Sequence, residues 1–581
     1  MSEPTPSLSP ATSRRAWWGL AVLSLGVSMI IVDATIVSVI VPQIIDDIGI
    51  TFTDAEWINS IYALVFAALL ITMGRAGDIW GRRRLFLVGL VVFVAASVLA
   101  AASDSGPQLI VARLIQGVGG AMILPSTLST VNALFRGRQR AIAFGIWGSV
   151  IGGMAAVGPL LGGWLATSYS WAWAFLINVP IGLVCLLGAL ALVPETRDEK
   201  TSRDFDWLGV LLSAISLGML VFTLIEGRTY GWWKPIADFE VAGLTWSTSA
   251  PTSPVPVAFA ISLACALLFF RHQATRERHG RAVLFDVTLF RFRSFGYGNV
   301  AALIVSLGEF GIIFTLPLFL QFVLGFDALQ TGWVFMGIAL GAFVAGPTAA
   351  ALSQRYGPRR VVILGMALEV VGILGAALLI RPDVSGALLT VPLFVYGIGV
   401  GYATAQLTSV ILMEVPTYKS GQASGMQSTS RQVGSALGIA VLGTALAVLL
   451  SAGLDDELDQ VPGLDDTQQE FLSTAITDSG GNVDAAIAAA VATGVLTAEE
   501  ARSSGAAIVS ASHQASADAT RGAQLFAAGF VLCGLVAATR LPDIRTTAAT
   551  NGRPGDSPAA GPPGAAGAAG DRAHTEGPNP E

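Results

Sequence analysis

Charge is what this chain has least of: Asp, Glu, Lys and Arg together make up 13% of its 581 residues, and only three are lysines. Water-soluble domains usually carry about one quarter charged residues, so most of the chain cannot be packed as soluble domains. Lys200, Lys234 and Lys419 follow Glu, Trp and Tyr rather than glycine, which excludes a P-loop for ATP. The four histidines, at 272, 279, 513 and 574, are dispersed and read as lying outside the apolar runs, so they suggest no metal site. Cys185, Cys265 and Cys533 fall inside apolar runs and imply no disulfide framework. A formal net charge of −7 is not a nucleic-acid signal.

What the chain has in abundance is apolar sequence, 53% of all residues with a mean hydropathy of +0.65. A bilayer needs roughly 20 apolar residues per helical crossing, and fourteen runs satisfy it. They cover residues 16–41, 56–73, 85–102, 108–132, 141–168, 172–193, 207–226, 254–270, 295–321, 331–352, 361–380, 388–413, 424–450 and 523–538. With a cytoplasmic amino terminus, 23 Lys and Arg residues fall on the inner side against five on the outer side, which places both termini inside. Twelve spans plus two buried amphipathic segments is the alternative, and it keeps the same sidedness. Arg14-Arg15 precedes the first run, but its length and the lack of a small-residue cleavage site make it a retained span rather than a signal peptide. Residues 451–522 hold a cluster of acids and read as a solvated outer spacer, the alternative being amphipathic helices over 484–502 that cover the outer mouth. The tail 541–581, rich in Gly, Ala and Pro, reads as disordered.

One short loop organises the rest. Gly74-Arg75-Ala76-Gly77-Asp78-Ile79-Trp80-Gly81-Arg82-Arg83-Arg84 separates two apolar runs, and a degenerate copy ends Gln354-Arg355-Tyr356-Gly357-Pro358-Arg359-Arg360. Such a repeat marks transporters assembled from two related bundles. Aligning the copies pairs span 10 with span 2 and span 9 with span 1, leaving spans 7 and 8 as an inserted pair. The division is a tail over 1–15, a six-helix bundle over 16–193, the inserted pair over 194–293, a second bundle over 294–540 and the cytoplasmic tail.

Further patterns carry a resemblance. Asp33-Ala34-Thr35 with Pro42-Gln43, Arg113-Leu-Ile-Gln116-Gly117-Val-Gly119, and Gly148, Gly152, Gly158-Pro159-Leu-Leu-Gly162-Gly163 occur in order. They are followed by Trp171-Ala-Trp173-Ala-Phe-Leu-Ile-Asn178-Val-Pro180-Ile-Gly182, with Ala172 where Arg is usual, and by Arg431-Gln432-Val-Gly434-Ser-Ala-Leu-Gly438. Together they make the chain similar to the fourteen-helix drug:proton antiporter family of the major facilitator superfamily. The resemblance implies an all-α membrane protein with the major facilitator fold in a 6+2+6 arrangement. It also implies a non-enzymatic exporter driven by a proton gradient, without a cofactor, acting as a monomer in the cell membrane on small lipophilic or cationic compounds. Under it, Arg113 is linked to proton transfer, and the span 5 pattern with Gly152, Gly158, Pro159, Gly162 and Gly163 marks antiport.

Elementary chemistry points to the same places. An ionised carboxylate within a span costs about 3 kcal/mol by insertion scales, so Asp33 must face a wet cavity, find a partner or carry a proton. Glu309 sits at a similar depth in span 9, and Asp33 to Pro42 is nearly the same step as Glu309 to Pro317, which suggests equivalent positions in the two halves. Glu369 reads as a supporting residue of a peripheral span, and Glu226 as a boundary residue beside Trp232-Trp233. Arg113 needs a carboxylate or carbonyl partner, which the sequence leaves open. Gly74, Asp78, Gly81 and Arg82 suit a gate: Asp78 accepting hydrogen bonds from the amino end of span 13 near 421–425, and Arg82 pairing with acids on the same side. The glycines of span 5 read as a packing face bent at Pro159, and Gly397, Gly399 and Gly401 as helix packing rather than a dinucleotide loop. Substrate contacts are expected from Tyr62, Gln116, Trp147, Phe310, Tyr396 and Gln406. An importer or facilitator on the same fold, and a membrane scaffold working through the acidic segment, remain the rival readings.

Overall fold

The computed structural model describes residues 10–542 apart from 136, 198–203, 242–243 and 416–419; side chains are described except at 10–13, 78, 132, 137–138, 140–142, 144–149, 151–153, 155–156, 241, 244, 347, 350, 354, 405, 409, 420–422 and 424. The sequence calls on the tail 543–581 lie outside the described residues. The first third of the chain forms α1 (Pro10–Ile48), α2 (Phe52–Trp80), α3 (Arg82–Ala101), α4 (Gly106–Leu134), α5 (Gly137–Ser168), the single turn α6 (Ala172–Leu176) and α7 (Asn178–Leu192). Next come α8 (Trp207–Glu226) and α9 (Pro254–Arg278), joined by a hairpin of β1 (Phe239–Val241) and β2 (Leu244–Trp246) in antiparallel register, Phe239 opposite Trp246. The last third holds α10 (Arg293–Leu318), α11 (Ala328–Tyr356), α12 (Pro358–Leu379), α13 (Gly386–Ile411), α14 (Ser420–Leu458), α15 (Asp466–Asp478), α16 (Val483–Ala492) and α17 (Ala498–Thr539).

Thirteen helices among the described residues are long and apolar enough to cross a membrane, so this is a multi-pass membrane protein. The fifth apolar run is also helical, as α5. Helix starts are set by side chains that satisfy the free amide groups of the first turn. Thr51 with Asp54, Asp327 with Gln330, Asp465 with Gln468 and Thr497 with Glu500 each form a reciprocal capping box. All four boxes lie at the end of the molecule that carries residues 451–522, here the acidic end; the opposite, basic end carries Arg82–Arg84.

Two sequence expectations are corrected. Residues 451–522 are not a solvated spacer: α14 and α17 run on beyond their apolar cores, and α15 and α16 fold between them as a helical cap. Its apolar positions decide this, because Leu472, Ile476, Val483, Ala486 and Ala490 are buried in one cluster with Phe52, Leu450 and Leu454, and their spacing of three and four residues gives one apolar helix face. His272 and His513 lie within long helices, on α9 and α17.

The repeat is visible as backbone packing. A Cβ placed on Gly158 or Gly162 of α5 would come within 3.0 Å of the carbonyl oxygens of Val32 and Ile36 on α1. One placed on Gly434 or Gly438 of α14 would collide with the carbonyls of Leu303 and Leu307 on α10. The same small-residue device therefore seats α5 on α1 and α14 on α10. Likewise Gly119 of α4 abuts Phe93 and Gly89 on α3, as Gly399 of α13 abuts Glu369 and Gly365 on α12. Gly397, Gly399 and Gly401 are thus helix-packing glycines, against Ile338, Glu369 and Ala342 in turn.

α8 and α9 are joined at the basic end by a polar hub. Asp206 caps α8 through the Gly209 amide (2.9 Å), accepts from Gln273 (2.6 Å) and lies 2.6 Å from His272 Nε2. Gln273 in turn accepts from the Leu284 amide (2.9 Å), while Arg276 pairs with Asp204 (2.6 Å). Burial alone would raise the Asp206 carboxyl, but the hydrogen bonds from His272, Gly209 and Gln273 outweigh it and hold the group below the usual carboxylate range. A depressed folded-state value contributes stability above the unfolded value and loses it as pH falls through the folded one. The hydrogen-exchange protection factors of the α8–α9 junction, taken relative to the intrinsic rate at each pH, are therefore expected to be flat from neutral to mildly acid pH and to fall only below the ordinary aspartate range; Asp206→Asn should lower them at neutral pH.

Candidate functional site

Among the described residues the largest fully buried side chain is Arg113, on α4, at 1% exposure. Its guanidinium NH1 donates to Asp33 Oδ2 on α1 at 2.5 Å and to Gln116 Oε1 at 2.8 Å, and its Nε donates to the Ile58 carbonyl on α2 at 3.2 Å. The ring of Tyr62 lies beneath the guanidinium, 4.3 Å from its carbon to the ring centroid, and that of Phe175 lies at 6.0 Å. The second Asp33 oxygen accepts from Gln116 Nε2 (3.1 Å) and from Asn178 Nδ2 (2.8 Å), and both amides also reach Ser97 Oγ on α3 (2.8 and 3.1 Å). One carboxylate, one guanidinium, two amides and one hydroxyl thus tie α1, α2, α3, α4 and α7 together.

The Arg113 partner left open by the sequence is Asp33. Tyr62 and Gln116, expected as substrate contacts, are buried here: the Gln116 amide is engaged in the cluster, while Tyr62 offers its ring to Arg113 and its hydroxyl donates to the Ile30 carbonyl at 3.5 Å. Asn178 and Ser97 were not singled out as members. Asn178 carried a signal, since it stands in the tryptophan-rich pattern of span 6; Ser97 is one serine among apolar residues and carried none.

The carboxyl-terminal half does not copy the cluster. The glycine contacts align Val32 and Ile36 with Leu303 and Leu307, so the counterpart of Asp33 is Ile304, and Glu309 lies five residues further along α10. The nearly equal proline steps misplaced it. Glu309 Oε2 instead faces Arg431 of α14 at 3.9 Å, with 13% of its side chain exposed. Phe310 packs beside it against the core shared with the cap. Tyr396 is buried on α13, and its hydroxyl has no hydrogen-bond partner among the described residues. Gln406 is half-buried, while the side chains of Trp147, Gly152 and Asp78 lie outside the described residues.

At the basic end Gly81 has φ +113°, a conformation that disfavours other residues. A Cβ there would also meet the Glu195 carboxylate at 2.6 Å. That carboxylate accepts from the Arg83 and Arg84 amides (3.1 and 3.3 Å), capping α3 from the end of α7. Arg82 NH1 donates to the Ser129 carbonyl at 3.2 Å. A Cβ on Gly74 would lie 3.3 Å from Pro125 Cβ on α4.

At the acidic end the two halves touch directly. Gly163 of α5 lies against the Ala328 backbone of α11, Gly332 against Pro159, and Gln321 donates to the Val39 carbonyl at 2.8 Å. Nearby, Arg228 pairs with the fully buried Glu56 at 3.3 Å and reaches Thr53 at 2.7 Å, while Trp57 donates to Glu226 at 2.8 Å. Glu226 is therefore a bonded partner between α8 and α2, more than a boundary residue.

A multi-helix membrane protein with buried charge at its core and two related helix sets is built as a transporter. The Major Facilitator Superfamily profile matches residues 23–439, and the chain belongs to that superfamily, whose members transport rather than catalyse. The chain is 34% identical over 454 residues to the multidrug efflux pump LfrA of Mycolicibacterium smegmatis, covering 78% of this chain and 85% of that protein. It is 30% identical over 433 residues to the tetracenomycin C resistance and export protein of Streptomyces glaucescens (74% and 76% covered). It is also 34% identical over 468 residues to a probable actinorhodin transporter of Streptomyces coelicolor (77% and 76% covered). Among solved structures, a bacterial homologue of the human lysosomal transporter Spinster, inward-facing and unoccupied, shares the fold at TM-score 0.55 and 15% identity, over 92% of this chain and 98% of that one.

Removing one partner of a buried ion pair costs about 3–5 kcal/mol because the other charge is left uncompensated. Asp33→Asn is expected to lower the thermal midpoint of the detergent-solubilised protein, and Arg113→Gln in the same chain to restore part of the loss. Additive losses in the double variant would show that the two residues do not act as a unit.

Proposed function

We propose that the chain is a secondary active exporter that releases lipophilic, often cationic compounds by alternating access, in exchange for protons, across the cell membrane. The reading places fourteen helices in a 6+2+6 arrangement with both termini cytoplasmic, so the acidic end faces outward. The observation that carries it is the Asp33–Arg113 pair. A carboxylate locked by a guanidinium at the meeting point of five helices is a switch: a proton on Asp33 removes the charge that holds Arg113, and Asn178 and Gln116 must then re-pair. That couples protonation to the packing of α1 against α4. Glu309 beside Arg431 is a second acid in the other half, and Pro159 and Gly163 of α5, which meet Gly332 and Ala328 of α11, are the surface on which the halves rock. Asp78, Gly74, Gly81 and Arg82 form the inner gate. The names of the related efflux and export proteins support the direction of transport and the substrate class.

For a neutral compound the energy suffices, since one proton moving down 100 mV releases about 2.3 kcal/mol, roughly a forty-fold gradient, whereas one-for-one exchange with a monovalent cation moves no net charge and is driven by the pH difference. Everted vesicles acidified inside should accumulate a lipophilic cation such as tetraphenylphosphonium. Asp33→Asn should abolish that accumulation at equal protein in the membrane. Undiminished accumulation in the variant would overturn the role of Asp33, and uptake only in the opposite orientation would make the chain an importer.

A further inference from the structure

Glu369 lies in the middle of α12 with 0% exposure, and neither carboxyl oxygen has a hydrogen-bond partner among the described residues. Native proteins rarely leave a buried polar group unpaired, and an exception asks for an explanation. Architecture supplies none, since the glycine packing that sets Gly399 against Glu369 sets Gly119 against Phe93, and the fold is content there with a phenyl ring. The charged groups in electrostatic range of Glu369 are Glu309 on α10 and Arg431 on α14. From α13 it is faced by Tyr396, whose hydroxyl is likewise unpaired. α17 packs on α12 through Gly534 against Met366, and its residues 522–539 hold no charged or titratable group other than Cys533. One cation therefore serves two acids, and Arg431 stands 3.9 Å from Glu309. An ionised Glu369 would be uncompensated, at a desolvation cost of several kcal/mol.

We propose that Glu369 is a second proton-binding carboxylate, loaded in this conformation and in exchange with Glu309, so that the carboxyl-terminal half carries a proton in addition to the one on Asp33. The proton leaves the Glu369 carboxyl for the Glu309 carboxylate and passes from Glu309, the more exposed of the two, to water. Arg431 then turns to face the ionised Glu369. The transport role rests on the antiport reading; the bound proton does not.

Two measurements on the full chain test this. Infrared difference spectra of the wild type at neutral pH should contain a carboxylic-acid carbonyl band that disappears in Glu369→Gln, a substitution shaped like the neutral acid. In reconstituted vesicles, the tetraphenylphosphonium gradient sustained by a pH step of about one unit should fall about tenfold in the same variant, the worth of one proton. Glu369→Leu, apolar like Phe93, should give the same two losses if the amide disturbs packing. Identical carbonyl bands in wild type and variant, or an unchanged gradient, would overturn the proposal. A wild type without pH-driven accumulation would remove the antiport reading and the transport role with it, while the band would still decide whether Glu369 holds a proton.

Discussion

A single buried ion pair sets the terms for the amino-terminal half. Arg113 cannot sit at 1% exposure without a counter-charge, Asp33 cannot sit beside it without further donors, and Gln116, Asn178 and Ser97 answer that demand from three helices. Burying such a pair is costly, and replacing it with apolar side chains is often neutral or stabilising. Its presence is therefore weak evidence of a stabilising role, and under the proposed antiport it is a junction whose partners change when one charge is cancelled. α7 joins the same arrangement through its first residue, Asn178, whose amide reaches Asp33.

The two halves share backbone packing and divide the chemistry. Small residues at matched positions let α5 approach α1 and α14 approach α10, so the repeat survives where side chains are absent. Where side chains matter the halves diverge: Asp33 faces Ile304 across the repeat, and Phe93 faces Glu369. Each half thus buries carboxylate, but on different helices and with different company. A repeat in the fold does not impose a repeat in electrostatics.

Much of this was legible from the chain alone. The apolar runs mark the helices because a bilayer demands length and hydropathy of each crossing separately. The Gly-Arg loop and its copy fixed the register, and the positive φ at Gly81 and Gly357 shows why glycine stands in both. The pairing of Asp33 with Arg113 stayed open because it depends on helix rotation across 80 residues. Glu309 was misaligned because proline spacing records local bending, whereas backbone contact records position. The cap was read as a spacer because its acids dominate composition, while a few alanines, leucines and isoleucines on one face decide its fold. Glu56, Arg228 and Glu195 escaped notice because each lies at a helix end, where charge is expected and its partner is not.

The cap bridges the two halves. It grows out of α14 and α17, yet Asn482 holds Asp46 on α1 by a hydrogen bond, and Phe52 of α2 packs among its buried residues. Any parting of the halves at that end must first strip the cap from α1 and α2, exposing apolar surface as it does so. Residues 451–522 thus close the seam at the acidic end with apolar area as well as with a hydrogen bond.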